Sequence, residues 1–162
     1  MAQDSGLFPI PEEAKTFKQL KEFVQELDSM EPEDQGEQGL LAHRRKVART
    51  VAAVSEQGMK LKLTGEEEME CHFFNLLALD MLKELGDEGA KEKYEAALNM
   101  ARAHSNPDVV AVGIKFLVEG GFGKWQRLND DEKNELLTAI SDYVTAGEAN
   151  GDHMQLIMTV VG

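Results

Sequence analysis

The densest group of ligating side chains is Glu66, Glu67, Glu68, Glu70, Cys71 and His72. Carboxylate, thiolate and imidazole are the ligands of zinc and iron. Glu68 and His72 stand four apart, so a helix places them on one face. A di-iron carboxylate bundle needs Glu-x-x-His on two helices, and that spacing occurs nowhere in the sequence. The competing reading is an acidic first helical turn, favoured by the helix dipole, with Cys71 as a small buried hydrophobe. That reading is adopted and no cofactor is expected. A metal-binding protein or enzyme using Glu68 and His72 stays as an alternative.

Other chemistries find less support. His43, His72, His104 and His153 share no motif spacing, and HExxH, CxxC and GxSxG are absent. The stretch 120–124, GGFGK, invites a phosphate-loop reading. It fails at both ends, because Val118 occupies the first glycine position and Trp125 replaces the Ser/Thr. It reads instead as a glycine corner between helices. Trp125 there is either a core residue or an interface anchor.

The basic run His43-Arg44-Arg45-Lys46 with Arg49 also has two readings. One is a patch for an acidic partner or a phosphate. The other is internal neutralisation of the acidic N-terminal helix or of the Glu66–Glu70 turn.

The chain has 162 residues, the size of one domain, and 42% of them are apolar, enough for a substantial core. The net charge is −13, which repels nucleic-acid phosphate and disfavours that class of partner. The charge is uneven. Residues 1–39 carry a net of −7, residues 40–62 a net of +5, and the rest a net of −11. One cysteine cannot form an internal disulfide, and the start MAQDSGLFPIPEE has no signal-peptide pattern. Apolar stretches are too short for a membrane helix, so a cytoplasmic protein is expected.

The elements that position these residues read as helices. Residues 1–9 form a loose lead-in. Pro11 with Glu12 and Glu13 suits a helix start, followed by the stripe Phe17, Leu20, Val24 and Leu27. Segment 31–39, EPEDQGEQG, is an acidic mobile loop. A second helix is expected over 40–57, with Leu40, Val47, Val51 and Val54 inward and Gly58 as its stop. Residues 59–63, MKLKL, read as a linker.

Thr64 and Glu67 form a capping box opening an apolar run of Met69, Phe73, Leu76, Leu77 and Leu79. Gly86 stops that helix, and Ala90, Tyr94, Ala97, Leu98 and Ala101 repeat at helical spacing up to Asn106-Pro107. This central antiparallel hairpin partly resembles a tetratricopeptide repeat. No second copy at a period of about 34 residues follows, so it is read as the packing of one helix pair.

Segment 109–121 fits helix or strand, and Lys115 with Glu119 favours helix. Asn129 and Glu132 form another capping box, opening a helix through Leu136, Leu137, Ile140, Tyr143 and Val144 to Gly147. The tail 153–161 is apolar enough to dock on the core or to serve a homo-oligomer.

The expected fold is all-α, a single compact bundle of six or seven helices over 1–162. The expected function is a non-catalytic adaptor, chaperone or regulator that binds a protein segment in a helix-lined groove. Candidate partner-binding residues are Phe73, Met81, Tyr94, Met100, Phe122 and Trp125, with Arg44 and Arg45 as the basic patch. An acidic inhibitor that mimics nucleic acid is the other alternative, and it needs the carboxylates of 26–37 and 130–135 on one surface.

Overall fold

The computed structural model describes residues 6–145, except for the side chains of Phe122 and of residues 143–145. Among the described residues the chain is all-helical: α1 (Phe17–Ser29), α2 (Glu37–Met59), α3 (Gly65–Glu84), α4 (Ala90–Arg102), α5 (Pro107–Phe122) and α6 (Asp130–Thr145), with a 3-10 turn at Trp125–Arg127. Two compact units emerge, residues 1–97 and 98–162, and the division falls inside α4.

In the first unit, α1 begins six residues after Pro11. Thr16 and Gln19 form a reciprocal capping box, with Thr16 Oγ1 accepting from the Gln19 amide and Gln19 Oε1 from the Thr16 amide. That pair satisfies two end donors at once, whereas Pro11 is spent in a tight turn closed by the Ala14 amide at 3.1 Å. Leu20, Phe23 and Leu27 are buried, with Ala14 and Val54, and Val24, Val47 and Val51 pack against them.

The expected loose lead-in is tied down where it is described. The Phe8 amide donates to Thr50 Oγ1 at 2.8 Å, and Phe8 and Ile10 cover the same core. Residues 1–5 lie outside the described residues.

Helix α2 starts three residues before its expected first residue, shortening the acidic loop to 30–36. Leu40, expected inward, is 40% exposed, because burial along α2 begins only at Ala48. Gly58 is not the stop. It is buried within the helix, where a Cβ would stand 2.9 Å from Cys71 Sγ of α3. A residue without a side chain lets the two helices close here. The linker that follows turns back through the Leu61 amide to the Gly58 carbonyl, and Leu61 packs on the core.

Helix α3 opens on the expected Thr64–Glu67 box. At its other end Gly86, with φ of 70°, donates to Lys83 O, and the Asp87 amide donates to Leu82 O at 2.9 Å. This paired pattern is the Schellman ending that a left-handed glycine allows. The small-residue stripe of α4 behaves as its spacing implies, with Ala90, Tyr94, Ala97, Leu98 and Ala101 all buried.

In the second unit, segment 109–121 is helix. Asn106 caps α5 through the Asp108 amide, and Pro107 sits in the first turn. Ile114 and Val118 of α5 meet Leu136 and Ile140 of α6. The glycine corner is smaller than expected, because Gly120 and Gly121 lie inside α5. A Cβ on Gly121 would stand 2.5 Å from Leu136 Cδ2, so this glycine is a helix-packing contact. Asn129 and Glu132 cap α6 reciprocally, each bond 2.9 Å long. The expected ending at Gly147 and the tail 153–161 lie outside the described residues.

Candidate functional site

The basic run of α2 is committed largely to its own unit. Arg49 forks onto Asp87, with Nε donating to Oδ2 at 3.1 Å and Nη2 to Oδ1. Arg45 Nη2 donates to the Leu85 carbonyl at 3.0 Å, and its Nε lies 3.4 Å from Asp87 Oδ1. Two guanidinium groups of α2 thus hold the turn that ends α3.

The Asp87 side chain is 13% exposed, and the Arg49 hydrogen bonds hold its carboxyl below the usual carboxylate range, with Arg45 and Lys93 adding to the effect. The acceptor is neither of the two anticipated acidic segments. Glu70 of the acidic turn pairs instead with Lys21 of α1 at 2.7 Å. Arg45 is therefore a clamp residue, while Arg44 is exposed.

The ligating cluster of α3 divides by burial. His72 is 6% exposed and Cys71 is 4% exposed. Burial, aided by Glu67, Glu70 and Glu68, pushes the Cys71 thiol up to about 11, which keeps it protonated and unreactive at neutral pH. Among the described residues no three of His, Cys, Asp and Glu come together as a metal would need.

The outward side of α3 carries apolar residues as well. Leu77 is 43% exposed and Met81 is 42% exposed, and with half-buried Phe73 they stand at i, i+4 and i+8. The same helix buries Leu76, Leu79 and Leu82. Apolar residues thus occur on the outer side of α3, flanked there by Asp80 and Glu84, as well as on the side that fills the core.

Phe73 meets Phe74 edge-on, with ring centroids 5.8 Å apart. Phe74 lines a shallow crevice, open to solvent, with Phe17, Leu20, Lys21 and Val24 of α1, Val54 of α2 and Cys71. The polar Ser55 hydroxyl at this crevice is already spent on the Val51 carbonyl at 2.8 Å, so the lining is functionally apolar.

The other expected contact residues scatter. Tyr94 is buried, with Lys83 Nζ 4.1 Å above its ring. Met100 is 57% exposed in the second unit. Trp125 is partly buried against that unit's core, with Lys133 Nζ 5.4 Å from its ring centre. The Phe122 side chain lies outside the described residues.

Phe73 and Met81 are thus the expected residues that share a described surface. Leu77, a member of the expected apolar run that was not among the candidate contact residues, completes it, and its place midway between them at i+4 was the available signal. Comparison with protein-family models, curated proteins and solved structures returns no match. Among the described residues no helix is long and apolar enough to cross a membrane.

Proposed function

We propose that this chain is a non-catalytic helical interaction module that receives an apolar helical segment of a partner protein along the outer stripe of α3. The supporting observation is the row of half-buried Phe73 with exposed Leu77 and Met81 on a helix whose opposite side already fills the core. Leaving Leu77 and Met81 43% and 42% exposed forgoes roughly 0.5–1.5 kcal/mol each, a cost a docking face recovers on binding. The partner reads the stripe through side chains spaced one helical turn apart.

Photo-crosslinking from position 77 in lysate tests this. A discrete partner crosslinked by the otherwise wild-type chain, and lost in a Met81→Ser background of unchanged helicity, is the expected result. Absence of any crosslink from position 77, in a preparation that crosslinks efficiently from other exposed positions, refutes the reading.

A further inference from the structure

A second exposed face lies at the opposite end of the α1–α2 pair from Gly58, where α1 ends and α2 begins. Met30, the C-cap of α1, is 40% exposed, and Leu40 and Leu41 of α2 are 40% and 41% exposed. Between Lys21 and Arg44 the chain carries seven carboxylates and no lysine or arginine. Of these, Glu22 is paired with Lys18, while Glu26, Asp28, Glu31, Glu33 and Glu37 have no ion pair among the described residues.

The corner is built rather than loose. The Gly36 amide donates to Asp34 Oδ1 at 2.8 Å, and Gln35 Nε2 donates to the Pro32 carbonyl at 3.0 Å. A Cβ on Gly39 would stand 2.4 Å from the Asp34 carbonyl, so the loop folds directly onto the first turn of α2.

We infer that this corner docks a basic amphipathic helix. Its aliphatic side chains cover Met30, Leu40 and Leu41, and its lysines or arginines meet the surrounding carboxylates. The carboxylates of 22–37 outnumber the exposed cation beside them, Arg44, one turn beyond Leu40, so the corner is net acidic and complementary to a segment apolar along one edge and cationic along its flanks. The carboxylates repel one another in the free protein, and a cationic partner relieves that repulsion while being steered toward the site. Methionine adapts to the aliphatic face it meets. The inference rests on the reading of the chain as an interaction module but places this partner on a different face from α3.

The test uses the full chain and a fluorescent synthetic helix with leucine along one edge and lysine elsewhere. The control peptide carries serine in place of every leucine. Anisotropy titrations compare wild type, Leu40→Ser/Leu41→Ser, Glu31→Gln/Glu33→Gln/Glu37→Gln and Leu77→Ser/Met81→Ser. The first two variants are expected to weaken binding about tenfold or more, and the control peptide to bind wild type at least about tenfold more weakly than the leucine helix.

Equal binding of the two peptides reduces the effect to charge alone and overturns the inference. So does binding insensitive to both corner variants. Loss confined to the Leu77/Met81 variant assigns the peptide to α3, overturning the corner and leaving the α3 reading intact. Retention by that variant with loss at the corner supports the corner independently. Light scattering covers the last outcome, since a wild-type dimer dissolved by Leu40→Ser/Leu41→Ser gives the corner to a second copy. Circular dichroism checks folding, and should the leucine variant unfold, the carboxylate variant alone decides.

Discussion

Gly58→Ala tests whether α2 and α3 meet as closely as described. An alanine methyl there would sit 2.9 Å from Cys71 Sγ, well inside ordinary non-bonded contact of about 3.5–4 Å. Cys71 is 4% exposed, so the sulfur cannot swing into solvent. Overpacking of this kind costs about 1–3 kcal/mol.

Against it stands the helical preference for alanine over glycine, at most about 1 kcal/mol and less in a final turn. The overlap wins, and the expected net loss is about 1–2 kcal/mol. The other close atom, Leu20 Cδ1 at 3.8 Å, is in ordinary contact, which isolates the sulfur as the obstacle.

Urea unfolding is the assay, with a lower midpoint and an unchanged slope as the signature. Cys71→Ala removes the sulfur, so a double-mutant cycle is expected to return a favourable coupling of about 1–2 kcal/mol. A stabilised Gly58→Ala protein with zero coupling would refute the close approach.

Asp87→Asn removes the charge that both α2 arginines hold. Since Arg45 and Arg49 are 38% and 40% exposed, the expected loss at neutral pH is about 1–2 kcal/mol, below that of a fully buried pair. The Asp87 pKa is depressed on folding. Its contribution is therefore present above the unfolded value of 3.8 and lost as pH falls through the lower folded value, so wild-type and variant stabilities should converge in acid. Thr64→Ala deletes one half of a capping box and should cost about 1 kcal/mol, read as a shifted urea midpoint. Cys71, with its thiol held up to about 11, should react with a disulfide reagent at neutral pH only as fast as the chain opens. Labelling in native buffer at the rate of a free thiol would contradict its burial.

What could be read from the sequence was what depends on near neighbours. The Thr64–Glu67 and Asn129–Glu132 boxes are four-residue devices, and both appear where their letters stand. Thr16–Gln19 is the same device, hidden by the rival start signal of Pro11, Glu12 and Glu13. Positions whose role depends on a distant segment were opaque. Gly58 and Gly121 read as stop and corner because spacing does not record which side chain passes overhead.

The Arg49–Asp87 fork joins residues 38 apart in sequence, so no local pattern announces it. Leu40 and Leu77 fit their apolar stripes, yet each helix has a core along only part of its surface. For the candidate site, Phe73 and Met81 were identifiable as large residues of the hairpin. Their union into one row required knowing which side of α3 is left uncovered.

The α2–α3 pair is pinned at two places by unlike forces. Near Gly58 the constraint is steric, whereas at Arg45, Arg49 and Asp87 it is ionic and directional. A slip of one helical turn, about 5.4 Å, would break both together, so the pair has a single register rather than a family of neighbouring ones. Salt weakens only the ionic pin, because screening does not reach a steric contact. In high salt α3 should therefore pivot about Gly58 before it slides, with its Leu77–Met81 end moving more than its Cys71 end. At low ionic strength the row of α3 is held as one stiff edge, so a partner docking there as proposed would lose little further freedom in ordering it.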